Sequence, residues 1–398
     1  VTEPVRKALV LPGAGARGAY QVGVLKAIAQ MLPKRAKNPF AIISGTSAGA
    51  INAAVLASRA RNFEQAVERM EHVWSNFSSE QVFRTGYGTM LRTSLHWLTT
   101  LVTGGRLVRN PDAFFDATPL RNLLERNIDF SRIKSAIDLG YLESLAVTAS
   151  AYTSARSVTF FQSSRSTQRW SRVRRIGRPE VIGLDHLLAS AAVPFLVAPV
   201  KIGGEYYGDG AMRHRAPLSS AIRLGADRVL VLGVRDERPD PEPADFEQPD
   251  RPSLAHLAGY MLDTLFMDGV YSDIERVTRI NTILEHLGVS EIHTKQGLLH
   301  TVQTFLVVPD EDIREIAAQY AHEMPRSMRL LLKALGSMNA MGMQLVSYVL
   351  FESGFTRELI RMGYRDARLM EEDLRAFMYD EHIGSLDAPV FIKQQMES

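Results

Sequence analysis

The sequence predicts an α/β protein built on a central, mostly parallel sheet. Three observations carry this. Short apolar runs alternate with helical patterns across residues 5–235. Two of those runs lead directly into glycine-rich turns that open helices. The chain has 398 residues, of which 45% are apolar and 23% charged, enough to bury a sizeable core without staples.

The elements follow in order. Lys7–Leu11 (KALVL) reads as a buried strand. Residues 19–31 are helical, because Val22, Leu25, Ile28 and Ala29 recur at three- and four-residue spacing. Residues 40–44 (FAIIS) are a second strand, 48–57 a small-residue helix and 63–77 a more polar helix. Residues 78–110 lack a sheet pattern, but Leu91, Leu95, Leu98 and Val102 form one helical stripe beside Trp97, as a lid insertion would. Asp116 to Leu120 (DATPL) opens a helix with proline at an early position. Residues 145–149, 157–161, 195–200 and 228–234 are strand candidates, and 184–192 is a helix ending before Pro194.

Residues 236–252 hold five prolines and many acids, which makes them a linker or exposed loop. The expected division is a core at 5–235, this linker, and a mostly helical region at 253–398 with one strand at 305–308, completing the same unit. No internal repeat is present.

There is no cysteine, which excludes disulfides, thiolate metal sites and a cysteine nucleophile. Net charge is +2, but its distribution is uneven. Between Glu3 and Glu64 no acid occurs, and residues 151–179 hold Arg156, Arg165, Arg169, Arg172, Arg174, Arg175 and Arg178 with no acid. The first strand starts too early for a signal peptide, so a cytoplasmic location, peripheral to a membrane, is expected of this chain, although it opens on Val1 and an upstream segment could have been removed. The uncharged window 38–58 imitates a membrane span in length, but Ser44, Thr46, Ser47 and Asn52 divide it into strand, turn and helix.

Gly13, Gly15 and Gly18 spell the G-x-G-x-x-G of a dinucleotide-binding turn. Such a fold asks for an acid about 20 residues further on, to hold the ribose. None is present, although Lys34, Arg35 and Lys37 offer charge for a 2′-phosphate. The second strand points elsewhere. It ends in Gly45-Thr46-Ser47-Ala48-Gly49, a G-x-S-x-G between strand and helix. That turn exposes the central hydroxyl, its flanking glycines admit close backbone approach, and the helix N-terminus favours developing negative charge. Ser47 is therefore the candidate nucleophile. The first loop (Gly13, Ala14, Gly15, Arg17, Gly18) then reads as an oxyanion hole of free N–H groups, with Arg17 adding charge or bracing the loop.

A hydrolase triad would place a histidine late in the chain. None of the ten histidines sits in an obvious strand-end loop, and His214 comes nearest. Just before it, Gly208-Asp209-Gly210-Ala211 puts a carboxylate in a tight turn. A lone Asp-Gly is a common hairpin turn.

Together, GAGARG after strand one, GTSAG after strand two and DGA some 160 residues later resemble the patatin-like phospholipase family. Asp116-Ala-Thr-Pro-Leu120, Ala189-Ser-Ala-Ala-Val-Pro194, Gly363-Tyr364 and Asp366-Ala367 strengthen the likeness. The resemblance implies a three-layer α/β/α fold with added C-terminal helices, and a Ser47–Asp209 dyad in place of a triad. It implies hydrolysis of acyl esters of phospholipids or lysophospholipids through an acyl-enzyme, without cofactor or metal. Ala14 and Ala211 stand where many members have glycine. Ala14 keeps its backbone donor if its φ is negative.

Asp209 would need its pKa raised by burial to serve as a base near pH 7. The arginines from Arg156 to Arg178, interleaved with Phe160, Phe161 and Trp170, suit anionic headgroups or a solvated face; the Leu91 to Val102 stripe suits a lid, membrane contact or core packing. Met324, Met328, Met338, Met341 and Met343 suit an acyl pocket or ordinary packing. No nucleic-acid motif appears. The alternatives are a short-chain esterase or thioesterase, and a silent or activator-dependent lipid-binding protein. Oligomeric state is not legible.

Overall fold

The computed structural model describes residues 5–86, 113–236, 253–294, 297–337 and 342–379, with isolated positions between 88 and 103. Leu91, Trp97, Leu98, Met338, Met341 and nearly all of the acidic proline-rich segment lie outside the described residues. Leu95 and Val102 are helical and exposed.

The central sheet is formed by β1 (Lys7–Leu11), β2 (Ile42–Thr46), β3 (Ser144–Ala151), β4 (Arg156–Ser163), β5 (Trp170–Arg172), β6 (Arg175–Pro179), β7 (Val200–Ile202), β8 (Glu205–Asp209), β9 (Arg228–Leu232) and β10 (Gln303–Val307). Its order is β10-β9-β1-β2-β3-β4-β6-β5, and β8, carrying β7, adds to β3. The five strands from β10 to β3 run parallel. β4 reverses against β3, and β8 also pairs with β3 in the antiparallel sense. Every residue of β2, β3 and β9 is buried, so both faces of the sheet are covered, as expected where helices pack on either side of parallel strands.

The covering helices are α1 (Gly18–Met31), α2 (Ala48–Ser58), α3 (Phe63–Ser75), α4 (Thr118–Asn127), α5 (Phe130–Asp138), α6 (Leu184–Ser190), α7 (Leu218–Arg223), α8 (Leu254–Asp263), α9 (Gly269–His286), α10 (Ile313–Tyr320), α11 (Arg326–Ala334), α12 (Met343–Val349), α13 (Ser353–Leu369) and α14 (Glu371–Tyr379). The chain is thus an α/β protein with a mixed, mostly parallel sheet and additional C-terminal helices. α1 is buried almost all round and crosses α13 at close range. The crossing rests on two glycines: a Cβ at Gly23 would meet the Ile360 carbonyl, and one at Gly363 the Tyr20 carbonyl.

Three expectations need correction. Residues 195–200 are not a strand. Phe195 has φ 65°, and the N–H groups of Leu196 and Val197 turn back to the Val193 carbonyl at 3.2 and 2.9 Å. The Phe195 and Leu196 carbonyls accept from the N–H groups of Phe114 and Phe115 at 2.7 and 2.9 Å, an isolated bridge pairs Val197 with Phe115, and regular pairing begins at Val200. The C-terminal region has more than one strand: a separate hairpin pairs Glu291–Thr294 with Gly297–His300. Its strands are short and largely exposed, so they carry no apolar run for sequence reading to find. Finally, Phe160 and Phe161 do not stand on the surface among the arginines. Both are buried, because the sheet is covered on both faces, and Trp170 stacks on Phe161 at 4.7 Å.

Gly363→Ala should destabilise the protein by about 1–3 kcal/mol, since backbone rather than a movable side chain blocks the added methyl. Denaturant unfolding monitored by circular dichroism checks this; an unchanged midpoint would mean that the helices can separate freely.

Candidate functional site

Register brings the two candidate residues together. β2 ends with Thr46 opposite Thr148 of β3, and β8 ends with Asp209 opposite Ala149. β4 occupies the whole other edge of β3, so β2 and β8 share one edge and meet end to end. Ser47 follows the last residue of β2 and therefore faces Asp209.

Ser47 is strained. Its φ of 55° and ψ of −129° lie where a non-glycine residue is rarely held, and it is the N-cap of α2. The flanking glycines explain how the turn fits. A Cβ at Gly45 would strike the backbone of Gly49 and Ala50, and one at Gly49 the carbonyls of Leu11 and Pro12. The Ser47 N–H donates to Ser190 Oγ at 2.9 Å, and Ser190 Oγ donates to the Thr148 carbonyl at 2.6 Å. The same segment holds the other partner, because the Asp209 N–H donates to the Ala192 carbonyl at 2.8 Å.

Asp209 is 2% exposed. Its Oδ1 accepts the Ala211 N–H at 2.9 Å. Its Oδ2 has no partner at hydrogen-bond distance, while the Ser47 hydroxyl stands near enough to act on the carboxyl as a donor. Burial pushes the Asp209 carboxyl up to about 7, against the smaller opposing pull of Ser47 and the Ala211 N–H.

The glycine loop ends β1 beside this pair. Gly15 has φ 51° and opens a 3-10 turn that runs into α1. Ala14 has φ −149°, so its methyl is accommodated. Among the described residues, the backbone N–H groups of Gly13, Ala14, Gly15 and Ala48 meet no backbone acceptor. The loop is fixed by buried amides: Asn52 Nδ2 donates to the Gly18 carbonyl at 3.2 Å and to Gln21 Oε1 at 3.0 Å, and Gln21 Nε2 donates to the Pro12 carbonyl at 3.2 Å.

Arg17 points away from Ser47 into the protein. Its guanidinium is almost fully buried, pairs with Asp263 at 3.1 Å, donates to Ser347 Oγ at 2.7 Å and lies over the Tyr348 ring at 3.9 Å. Of the two roles left open for it, the side chain performs the bracing one.

Gly15, Ser47 and Ala48 also open one end of an apolar cavity of about 110 Å³. It runs along the face of α2 that bears Ile51 and Val55, between Trp74, Phe83 and Leu124. From Ser47 to Val55 that face extends roughly 12 Å. At the Val55 end, Arg69 donates to Asn127 Oδ1 at 2.6 Å across the cavity wall.

Two outcomes differ from simple sequence reasoning. His214 is not beside Ser47: its Nδ1 bonds Thr46 Oγ1 at 3.0 Å, and burial, then Arg175, push its pKa down to about 4. Ser190 was visible only as part of an Ala-Ser-Ala-Ala-Val-Pro segment, and nothing in that pattern assigns it to the Ser47 N–H.

Comparison with known proteins follows this geometry. The family described as patatin-like phospholipase matches residues 9–222. A search of curated proteins finds no match. Among solved structures, VipD from Legionella pneumophila aligns at 13% identity and TM-score 0.35, over 93% of this chain and 67% of that one. Human GIVD cytosolic phospholipase A2, solved with methyl gamma-linolenyl fluorophosphonate, aligns at 12% identity and TM-score 0.38, over 95% of this chain. The alignment spans 59% of the human chain's length.

Ser190→Ala would leave the buried Ser47 N–H unpaired, at about 1–3 kcal/mol of stability. The elbow would loosen, and reactivity of Ser47 toward an organophosphonate should fall by about tenfold. Unfolding midpoints and labelling rates measured side by side would reveal both effects, and wild-type values for each would remove Ser190 from the site.

Proposed function

Since the chain belongs to the patatin-like phospholipase family, we propose that it is a serine lipid acyl hydrolase acting through a Ser47–Asp209 dyad. The observation that carries this reading is the end-to-end meeting of β2 and β8 on one edge of β3, which sets a strained serine against a buried carboxylate.

In this reading Asp209 takes the Ser47 proton as Oγ attacks the ester carbonyl. The oxyanion accepts from the Ala48 N–H and from the N–H groups of Gly13, Ala14 and Gly15, supported by the N-terminus of α2. Protonated Asp209 gives its proton to the departing alcohol, and an acyl-Ser47 ester remains. Asp209 then draws a proton from water as the water oxygen attacks the acyl carbonyl, and returns that proton to the departing Ser47 Oγ, which frees the fatty acid and restores the ionised Asp209. The acyl chain lies in the cavity along α2, with its carbonyl at Ser47 and its end toward Arg69 and Asn127. The core and the C-terminal region act as one catalytic unit, because β10 extends the sheet and Arg17 is held by Asp263 and Ser347. Phospholipids and lysophospholipids are the substrate class, met at a membrane surface.

A fluorophosphonate probe should label one serine in the wild type and none in Ser47→Ala, read by intact mass. Asp209→Asn should slow labelling by about 10²–10⁴-fold while staying folded. The base works only when ionised, and its pKa is raised to about 7. So kcat/KM should climb with pH and level off above about 7, standing about a hundredfold below the plateau at pH 5. A folded protein that hydrolyses no ester and takes no probe, even with lipid vesicles present, would favour the lipid-binding reading; activity confined to acetyl or thioester substrates would favour the short-chain one.

The cavity supplies a separate expectation. Val55→Trp should cut kcat/KM for long-chain esters by at least about tenfold while sparing acetyl esters. A series of p-nitrophenyl esters of rising length checks it, and equal losses at every length would place the acyl chain elsewhere.

A further inference from the structure

The arginine-rich segment singled out in the sequence is only partly absorbed by the reading above. Arg165 pairs with Glu143 at 2.8 Å, and Arg178 donates to the Tyr207 hydroxyl at 3.2 Å. Arg172 and Arg175, on β5 and β6, instead converge with Arg223 at the end of α7 on a small pocket away from the cavity. The pocket is lined also by hydroxyls, among them Ser157 and Ser219, and by His214; among the described residues no carboxylate lines it.

Two of these cations stand without acceptors. Arg175 Nη1 is buried and unpartnered. Among the described residues, neither the Arg175 nor the Arg223 side chain makes a hydrogen bond or ion pair. Asp273 is within electrostatic reach of Arg175. However, its two oxygens are taken by the Leu218 N–H at 3.0 Å and Arg276 at 2.8 Å. Burial and the neighbouring arginines hold both guanidinium groups below their ordinary range, with Asp273 partly relieving Arg175. Guanidinium groups gathered beside hydroxyl donors, one of them with a buried unpartnered nitrogen, are an arrangement that an oxyanion would complete.

His214 supplies the second observation. It is 8% exposed, it lines the pocket, and its Nε2 has no partner among the described residues. Its Nδ1 is already bonded to Thr46 Oγ1, one residue before Ser47. Ser220, also in the pocket wall, bonds Ser44 of the same strand at 2.8 Å. The pocket therefore shares two hydrogen bonds with the strand that carries the candidate nucleophile.

We propose that this pocket binds a phosphate-type oxyanion through Arg175, Arg223 and His214, and that its occupancy adjusts the Ser47 elbow through Thr46. The ligand is a phosphate monoester or inorganic phosphate, and the same chemistry is offered by the headgroup of phosphatidic acid. The binding half stands without the catalytic reading; the coupling half rests on it.

The test uses the full chain and an Arg175→Gln/Arg223→Gln double variant at constant ionic strength. Inorganic phosphate and glycerol 3-phosphate are titrated by calorimetry against chloride, and flotation is measured with phosphatidylcholine vesicles with and without phosphatidic acid. Saturable phosphate binding that weakens at least about tenfold in the variant supports the site with a soluble ligand. Retention only by phosphatidic acid vesicles, lost in the variant, supports it with a lipid headgroup. No binding in either arm, or binding that the variant leaves unchanged, overturns it. The milder Arg223→Gln, at an exposed position, repeats the comparison if the double variant fails to fold. For the coupling, fluorophosphonate labelling of Ser47 is timed with and without the bound anion. A rate change of about threefold or more in the wild type, absent from the folded variant, supports it; an equal rate overturns the coupling and leaves the binding result standing. Absence of any labelling would instead count against the serine hydrolase reading, which separates the two failures.

Discussion

The candidate site depends on the sharing of one edge of β3. A parallel strand arrives from one end and stops at Thr46; an antiparallel strand arrives from the other and stops at Asp209. Neither stop is accidental. β2 stops because its chain must turn sharply into α2, and the glycines on either side of Ser47 leave room for the backbones of α2 and of the β1 loop. β8 stops because the chain turns into a 3-10 helix that the Asp209 carboxylate caps at Ala211, and Gly210 lets that turn pass against the Thr148 carbonyl, where a side chain would not fit. Backbone hydrogen bonds to a common strand thus fix the Ser47–Asp209 separation more firmly than two loops could. The end of α6 and the residues just after it lock the arrangement by bonding both residues, through Ser190 and Ala192.

The glycine loop is held by a different kind of force. Arg17 would be a costly buried charge if left alone. It is compensated by Asp263, Ser347, the Val234 carbonyl and the face of Tyr348, while Tyr348 also donates to Asp263 at 2.5 Å. All of these partners come from beyond residue 230. Such networks contribute little net stability but fix a single arrangement when every member is satisfied. The C-terminal region is therefore tied to the loop that would receive the oxyanion, as well as to the sheet through β10.

What could be read from sequence divides along a physical line. Lys7–Leu11, the turn at Gly13 to Gly18 and the G-x-S-x-G elbow are encoded locally, by apolar runs and by glycines at fixed spacing, and the structure has them in place. Asp209 was legible only through the resemblance, since an Asp-Gly turn by itself carries no chemistry. The edge strand β5 and its neighbour β6 were missed because they hold charged residues and a glycine and depend on neighbours for burial. Residues 195–200 misled because an apolar run can also line a turn. The roles of Ser190, Asn52 and Arg17 are set by partners far along the chain, and single-residue patterns do not reveal such pairings.

Among the described residues no histidine stands at Ser47, and this follows from the same packing. An imidazole is within the neighbourhood, but His214 is turned to Thr46 and kept neutral by burial and by Arg175. That leaves a carboxylate as the titratable group facing the serine. In water an aspartate is too weak a base to help near neutral pH, because its proton affinity is low. Burial changes this: with one oxygen on a backbone N–H and the other unpartnered, Asp209 rises to about 7. A second hydrogen bond to Oδ2 would stabilise the anion and lower that value. The unpartnered oxygen is therefore the feature that would let a dyad suffice in the proposed reading: the atom left unsatisfied by the fold is the one that would take the proton from Ser47.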